Sequence, residues 1–284
     1  MTKMVLGGSD MKFTRIGEIA KGQDGAIWNQ LLFRFDHKGM CCVHDLNTLE
    51  NVAQFCLDDT DAWMPHSNAV MFGCEYFAPE DEFPLLYTNV YNTYAKEEDR
   101  REGVCCVYRI TRQGNSFRGQ LVQIITVGFT KDETLWCSEG GDLRPYGNFA
   151  IDREKGIYYG FTMRDVSQTT PYFAFTLPKL SQGRYVTLMP EDILFSFDCP
   201  YHWLLQGACT HKGKIFSVEG YRDNTEYRPA LRIIDPEKRQ QLCCEYLIKH
   251  ELVHEPEFID FWDDVCYYGD AHGNLYKIEG IEYV

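Results

Sequence analysis

The sequence predicts an all-β fold, a five-bladed β-propeller of four-stranded blades. Short strand-like runs recur in a repeating order along the 284 residues. Gly, Pro, Asn and Asp turn signals separate these runs, and helical periodicity is absent nearly everywhere. Aromatic residues make up 14% of the chain, and many stand inside the runs, which favours strands over helices. A four-stranded unit of roughly 40–65 residues is typical of a propeller blade, since one such sheet cannot bury both faces alone.

The clearest repeat is a run that follows Gly or Pro and ends in a polar residue before a turn, and we assign it to strand c of each blade. Its copies are GMCCVHDLNTLE (39–50), GVCCVYRITRQG (103–114), PYFAFTLPKLSQG (171–183), PALRIIDPEKRQ (229–240) and GNLYKIEG (273–280). Two runs precede each copy and are assigned to strands a and b. A run after each of the first four is assigned to strand d: NVAQFCLD (51–58), QLVQIITVGF (120–129), RYVTLMPEDI (184–193) and QLCCEYLIKHEL (241–252).

The missing strand d of the fifth blade has a source at the other end of the chain. The run KFTRIGEIA (12–20) stands alone and matches the character of a strand d. Pairing it with the last strand c would close the ring and cover two strand edges that otherwise invite aggregation. We therefore predict one propeller domain over residues 11–284, preceded by a flexible segment over 1–10. Six blades are the alternative, if 130–145 contains another strand pair.

The composition excludes several partners. A net charge of −14 argues against nucleic acid and against anionic lipid, because both require a basic surface. The sequence contains no apolar run as long as the ~18 residues of a membrane helix. The expected location is cytoplasmic, and the alternative is a secreted protein whose signal peptide has been removed.

The 12 cysteines are predicted to be free. Several are adjacent pairs inside apolar runs (Cys41-Cys42, Cys105-Cys106 and Cys243-Cys244), where successive side chains point to opposite faces of a strand. No CxxC spacing indicates a zinc site. The pattern indicates packing residues in a reducing compartment.

Loop lengths indicate which face of the propeller carries the function. The long predicted connections join strand d to the next strand a (58–66, 130–146 and 190–203) or strand b to strand c (92–102, 163–170 and 221–229). Both kinds of connection lie on one face of a propeller, here called the long-loop face, and insertions in repeat proteins collect on the binding face. An insertion at 74–83 on the opposite face is the exception.

The first residues of the five a strands are predicted to ring the channel at the long-loop face. Each blade supplies a carboxylate or a carboxamide at the equivalent position: Asp24, Asn68, Asn148, Gln206 and Glu257. One interpretation is a polar binding ring for a hydroxyl-rich ligand or a hard cation such as calcium. The other is a solvated channel mouth whose side chains hydrogen-bond one another and water.

Further candidate ligand-binding residues surround this ring on the same face. Histidine, tyrosine and arginine side chains near the long loops resemble the walls of a carbohydrate or carboxylate pocket. They are His66, Arg144, Tyr146, Arg164, His202 and Arg222. The alternative is that these side chains anchor the loops and pair with surface carboxylates.

Two functions of different classes follow. The leading hypothesis is a binding propeller that recognises a small polar ligand, carbohydrate-like or a carboxylate, or a peptide, without a cofactor. The alternative is a glycoside hydrolase in which Asp24 and Glu257 divide the acid and base roles. Five-bladed glycosidases of the arabinanase and fructosidase type carry acidic residues in their first three blades, whereas blades two and three here supply Asn68 and Asn148. A protein scaffold without a ligand is the third hypothesis.

One stretch of blade two also resembles a known group of proteins. The runs PHSNAVMFG (65–73), DEFPLLYTNVYN (81–92) and CCVYRI (105–110) resemble uncharacterised bacterial β-propeller proteins, which pair an HxNxxxFG run with an FPLLY run. The resemblance lies mainly in blade two and is looser in blades three and four. It implies the propeller fold and supplies no catalytic residue.

Overall fold

The computed structural model describes residues 10–90, 103–127, 148–161, 169–200, 202, 204–222 and 229–282. Strands in these ranges form five sheets, of which four have four strands and one has five. Their bounds are β1 Lys12–Glu18, β2 Gly25–Trp28, β3 Leu31–Phe35, β4 Met40–Asp45, β5 Asn51–Cys56, β6 Pro65–Phe72, β7 Leu86–Val90, β8 Val104–Gln113, β9 Ser116–Val127, β10 Asn148–Asp152, β11 Ile157–Phe161, β12 Thr169–Thr176, β13 Tyr185–Leu188, β14 Ile193–Pro200, β15 Leu205–His211, β16 Lys214–Glu219, β17 Ala230–Asp235, β18 Gln240–Tyr246, β19 Pro256–Trp262, β20 Val265–Asp270 and β21 Asn274–Glu279.

The sheets are the blades of a five-bladed β-propeller, as predicted. Within each blade the four strands a to d follow one another as antiparallel neighbours. The innermost strands β2, β6, β10, β15 and β19 lie beside one another around a central axis. Helices in the described ranges are limited to Thr60–Trp63 and to the 3₁₀ turns Leu180–Gln182, Pro190–Asp192 and Leu247–His250. No helix in the described ranges has the length and apolar composition that crossing a bilayer requires.

The N-terminal strand closes the ring, which confirms the predicted closure. Strand β1 pairs antiparallel with β21, from Lys12 opposite Glu279 to Glu18 opposite Asn274. The Phe13 ring also packs against blade five, with its centroid 6.0 Å from that of Tyr268 in an edge-to-face arrangement. The last blade therefore combines the first strand of the fold, β1, with its last three strands, β19, β20 and β21.

Blade three corrects one strand assignment. The predicted fourth strand, RYVTLMPEDI, is not in this blade, because β13 pairs in parallel with β9 at the outer edge of blade two. The fourth strand is β14, which pairs antiparallel with β12. The connection between strands c and d of blade three is therefore long, spanning 177–192, and the following connection to blade four is short. The predicted strand pair within 130–145 lies outside the described residues.

Apolar side chains between neighbouring blades form the core. Between blades one and two, for example, the buried Phe33 ring lies edge-to-face with Phe72 and Phe83, at centroid distances of 5.2 and 5.4 Å. Edge-to-face contacts are a preferred geometry of aromatic pairs. The cysteines in the described ranges are all free, and several of them are buried in this core. Burial raises the pKa of thiols such as Cys41 and Cys105, so these residues act as packing groups.

Candidate functional site

The first residues of each strand a place polar side chains at the end of the channel that lies on the long-loop face. Asn68, Gln206 and Glu257 each lie where the register between strands a and b shifts. Such bulges redirect side chains that a regular strand would place between blades. Asp24 immediately precedes strand a of blade one, and Asn148 is the first residue of strand a in blade three. All five side chains are buried.

Three of the five predicted ring residues join a continuous chain of side-chain hydrogen bonds. The Nδ2 group of Asn89 donates to Oδ1 of Asn68 and, at 3.5 Å, to Oδ1 of Asn148. Asn148 then donates to the backbone carbonyl of Gln206 at 2.9 Å, and Gln206 donates to Glu255 Oε1 at 2.9 Å. We call Asn68, Asn89, Asn148 and Gln206 the carboxamide chain. Its members largely satisfy one another across blades two, three and four.

Blades one and five bring together a second group, which we call the charged cluster: Asp24, Glu257 and Arg34. Oδ2 of Asp24 accepts a 2.8 Å bond from the backbone N–H of Val70. Oε1 of Glu257 has only a 3.5 Å contact with Gln23 Nε2. The other oxygens, Asp24 Oδ1 and Glu257 Oε2, are buried and have no hydrogen-bond partner among the described residues.

Arg34, on strand b of blade one, was not predicted from the sequence. Its Nη2 group donates to the backbone carbonyls of Gly22 at 3.0 Å and Asp270 at 3.2 Å. Its Nε and Nη1 groups are buried without a partner in the described part of the chain. The side chain is only 1% exposed. It makes no ion pair within 4.0 Å there, although the carboxyl groups of Asp24 and Glu257 act on it electrostatically. Within the charged cluster, the Arg34 guanidinium is therefore near the two carboxyl groups but not in direct contact with them.

Burial dominates the ionisation of the charged cluster. It raises the pKa of the Asp24 and Glu257 carboxyls well above the ordinary range, and the nearby Arg34 guanidinium lowers both only in part. Burial also lowers the pKa of Arg34, but a guanidinium stays charged in proteins. Both carboxyls are therefore held as neutral acids above the pH at which exposed carboxyls ionise, and a neutral acid can donate a hydrogen bond.

Gly207 lets the backbone of blade four approach this cluster. A β-carbon at Gly207 would lie 2.5 Å from the carbonyl oxygen of Glu257 and 2.7 Å from Oδ1 of Asp24. Neither distance is compatible with a side chain, and both neighbours are held by the fold. The Asp24 carboxyl therefore points across the channel toward blade four, where glycine is the residue that fits.

The predicted histidines have different surroundings. His202 is fully buried; its ring contacts the Tyr172 hydroxyl at 3.5 Å, and burial lowers its pKa well below the usual value. Burial raises the pKa of the nearby Cys199 thiol to about 12, so this pair does not form an activated nucleophile. His66 is half-buried with its ring 6.3 Å from that of His37, and burial lowers its pKa to about 4.

The predicted arginines and tyrosine fall partly outside the described residues. Arg222 is exposed; its backbone N–H donates to Glu255 Oε2 at 2.8 Å, and its guanidinium lies over the Tyr221 ring at 4.8 Å. Arg222 thus contacts Glu255, which also accepts the hydrogen bond from Gln206 of the carboxamide chain. Arg144, Tyr146 and Arg164 lie in segments that the structure does not describe.

The described residues offer little to a metal ion. Within the ranges that the structure covers, no group of three or more His, Cys, Asp or Glu side chains has a geometry that could hold one. In addition, the Arg34 charge lies beside the two buried carboxyls of the ring, and it would repel a cation there. A calcium ion at the ring therefore stays a prediction from the sequence, without geometric support in these ranges.

The buried carboxyls predict a specific pH dependence of stability. The pKa values of Asp24 and Glu257 are raised on folding, so their contribution is complete below the unfolded value of about 4 and is lost as pH rises through the folded pKa. The combined Asp24→Asn and Glu257→Gln variant should therefore lose less unfolding free energy than the wild type as the pH rises above about 4. Urea unfolding at a series of pH values measures this.

The acidic side of the same profile provides the control. Burial lowers the pKa of His44 and His202, so their contribution is lost as pH falls below about 6.5 in both proteins. The two profiles should therefore run in parallel below about pH 4, where both carboxyls are protonated in the folded and the unfolded chain. Profiles that stay parallel as the pH rises above about 4 would contradict the raised carboxyl pKa values.

Comparisons with known proteins support the fold. No protein-family model matches the sequence, and no curated protein matches it. The resemblance to bacterial propeller proteins in blade two therefore stays a prediction. Among solved structures, glutaminyl cyclase from Myxococcus xanthus is similar with a TM-score of 0.51 and 11% identity, over 94% of this chain and 95% of that one.

Two other solved structures are similar at lower scores. A putative oxidoreductase (glucose dehydrogenase) from Thermus thermophilus has a TM-score of 0.48 and 11% identity, over 95% of this chain and 100% of that one. BamB from Moraxella catarrhalis has a TM-score of 0.37 and 10% identity, over 93% of this chain and 59% of that one. At these identities the likenesses concern the fold alone, and a shared fold does not by itself imply a shared function.

Proposed function

We propose that this protein is a binding propeller that holds a small polar ligand at the long-loop end of its channel. The single observation that carries the proposal is the charged cluster, in which Asp24, Glu257 and Arg34 are buried with unpartnered polar atoms. The ligand would supply the missing partners. It would accept hydrogen bonds from Arg34 and form further hydrogen bonds with the two carboxyl groups. A sugar hydroxyl or a ligand carboxylate has this chemistry.

The energetic cost of the cluster supports a binding role. Each buried polar group left without a partner costs roughly 1–3 kcal/mol, and buried ionisable groups cost more. The carboxamide chain shows that the same channel can be lined with groups that satisfy one another. Energetically costly local features, such as buried polar groups without hydrogen-bond partners, are concentrated at functional sites.

The geometry favours binding over glycoside hydrolysis. A hydrolase would need one of Asp24 and Glu257 ionised, as a base or a nucleophile, and the other protonated. Burial raises the pKa of both carboxyls, which removes the contrast between their environments that divides acid from base. Hydrolysis therefore remains an outcome of the test below.

The proposal is tested with two variants of one residue. After a thermal-shift screen of glycans and small carboxylates, titration calorimetry gives the affinity for each ligand found. Glu257→Leu removes the unpartnered oxygen and should weaken binding by about two- to tenfold, since a hydrogen bond of a neutral group is worth about 0.5–1.5 kcal/mol. Glu257→Gln keeps hydrogen bonding and should retain partial binding whose pH dependence is reduced.

A matched control lies at the other end of strand a in blade three. Asp152 is also buried, and its Oδ2 also lacks a partner among the described residues, while Oδ1 accepts bonds from the backbone N–H groups of Glu154 and Lys155. Asp152→Asn should leave ligand affinity unchanged. Equal affinity in wild type and Glu257→Leu would refute the proposal, and turnover that Asp24→Asn abolishes would favour the hydrolase.

A further inference from the structure

On the face opposite the long loops, two connections are far longer than the rest. One is the insertion between strands a and b of blade two, at 73–85, and the other is the connection between strands c and d of blade three, at 177–192. The remaining connections on this face are tight turns, such as 212–213 and 263–264. Because insertions in repeat folds mark binding faces, two neighbouring insertions on an otherwise regular face indicate a second site.

Both insertions are held in place by contacts that do not depend on a ligand. In the first, Asp81 accepts two bonds from the Arg109 guanidinium, at 2.6 and 2.9 Å. In the second, Gln123 of blade two donates to the carbonyls of Lys179 and Gly183, both at 2.9 Å. Bidentate pairs of this kind fix geometry. The two insertions therefore keep their positions without a bound ligand.

A cavity of about 550 Å³ lies between the two insertions. This volume falls within the range of roughly 300–1,000 Å³ typical of small-molecule sites. The turn between strands a and b of blade three, at 153–156, forms its third side. Its charged and thiol-bearing lining residues are Cys74, Glu75, Arg153, Glu154, Lys155 and Lys179.

Two cations of this cavity form no ion pair within 4.0 Å among the described residues, although Arg153 acts electrostatically on the buried Asp260 carboxyl. The Arg153 side chain is fixed because its Nε donates to the Phe72 carbonyl at 2.8 Å and its guanidinium lies over the Trp28 ring at 5.5 Å. Neither its terminal nitrogens nor the Lys179 ammonium makes an ion pair within those ranges. Lys155, in contrast, is paired with Glu237.

Both cations line the cavity together with Cys74 and Glu75. Burial raises the pKa of the exposed Cys74 thiol, and the charges of Arg153 and Lys179 oppose that rise, so both cations act electrostatically on this one sulfur. The Glu75 carboxylate is already engaged, because its Oε2 accepts a 3.1 Å bond from the backbone N–H of Leu180. The positive charge beside Cys74 is therefore only partly compensated.

We infer that this cavity binds a small anionic molecule through one carboxylate or phosphate group placed between Arg153 and Lys179. Guanidinium and ammonium groups are the usual partners of such oxyanions. The carboxylates of Glu75 and Glu154 limit the negative charge that the cavity accepts, so the ligand carries one such group rather than several. Glu154 can accept a hydrogen bond from a hydroxyl on the same molecule.

The Cys74 thiol supplies a direct readout. Alkylation by iodoacetamide is followed by mass spectrometry at Cys74 and at Cys56, an exposed free thiol of blade one that serves as internal control. Inorganic phosphate, acetate and chloride are compared at equal ionic strength. Phosphate, acetate or both should slow Cys74 alkylation several-fold relative to chloride and leave Cys56 unchanged; the oxyanion that protects identifies the class.

Two lysine variants with the same charge change complete the test. Lys179→Gln should abolish the protection of Cys74, whereas Lys38→Gln, an exposed residue near the long-loop face, should keep it. Both substitutions are on the surface and spare the fold. Glu257→Leu should also keep it, because this site is independent of the channel ligand. Equal Cys74 rates in all three anions, or unchanged protection in Lys179→Gln, would overturn the inference.

Discussion

A chain shortened to begin at residue 21 is expected to lose its cooperative fold. Strand β1 covers the whole edge of β21, and its removal also takes away the bond from the Ala20 N–H to His44 Nε2 at 3.0 Å. The exposed edge of blade five would be a template for pairing with other chains. Size-exclusion chromatography and near-ultraviolet circular dichroism should show aggregation and loss of fixed tertiary packing.

A shorter truncation provides the control for this experiment. Removing residues 1–9 leaves β1 complete and should preserve both the elution volume and the unfolding midpoint. A peptide of residues 10–20 added to the longer truncation should restore part of the native signal, because strand addition supplies the missing edge pairing. A monomer with an unchanged midpoint after loss of residues 1–20 would show that closure does not depend on β1.

Asn89→Ala is expected to lower the free energy of unfolding by about 2–5 kcal/mol, since each buried group that it leaves unsatisfied costs roughly 1–3 kcal/mol. The Asn89 side chain accepts a 3.1 Å bond from the backbone N–H of Ala69. It also donates to both Asn68 and Asn148. Its removal therefore breaks the carboxamide chain at its centre, and urea unfolding measures the loss.

Asn47→Ala is the matched control for this prediction. Asn47 is exposed, and its side chain donates a 2.8 Å bond to Gln30 at the surface. Its substitution should change the free energy of unfolding by less than about 0.5 kcal/mol, as is usual for surface positions. Similar losses in the two variants would mean that the carboxamide chain contributes nothing special to stability.

The sequence was sufficient to predict the number of blades and the closure of the ring, but it did not assign every strand to the correct blade. Runs such as GMCCVHDLNTLE follow local rules of turns and strands, and they fall on strand c as expected. In blade three, two strand-like runs follow strand c, and local pattern does not say which one pairs with it. Tyr185–Leu188 finds its partner in the neighbouring blade, a long-range choice that no local propensity encodes.

The candidate site was predictable only in part for a related reason. The polar residues at the start of each strand a could be recognised because they recur at one position of the repeat. Asn89 and Arg34 lie on strand b rather than at the recurring position of strand a, and their role depends on partners in other strands. The division of the ring into the carboxamide chain and the charged cluster therefore appears only in three dimensions.

The most direct test of the proposed binding role is a crystal structure of the protein with the ligand recovered from the screen. The proposal predicts a polar group of that ligand within hydrogen-bonding distance, about 2.7–3.2 Å, of Arg34 Nη1 or Nε and of the Oε2 atom of Glu257. A ligand bound elsewhere on the propeller, with these atoms contacted by water alone, would contradict it.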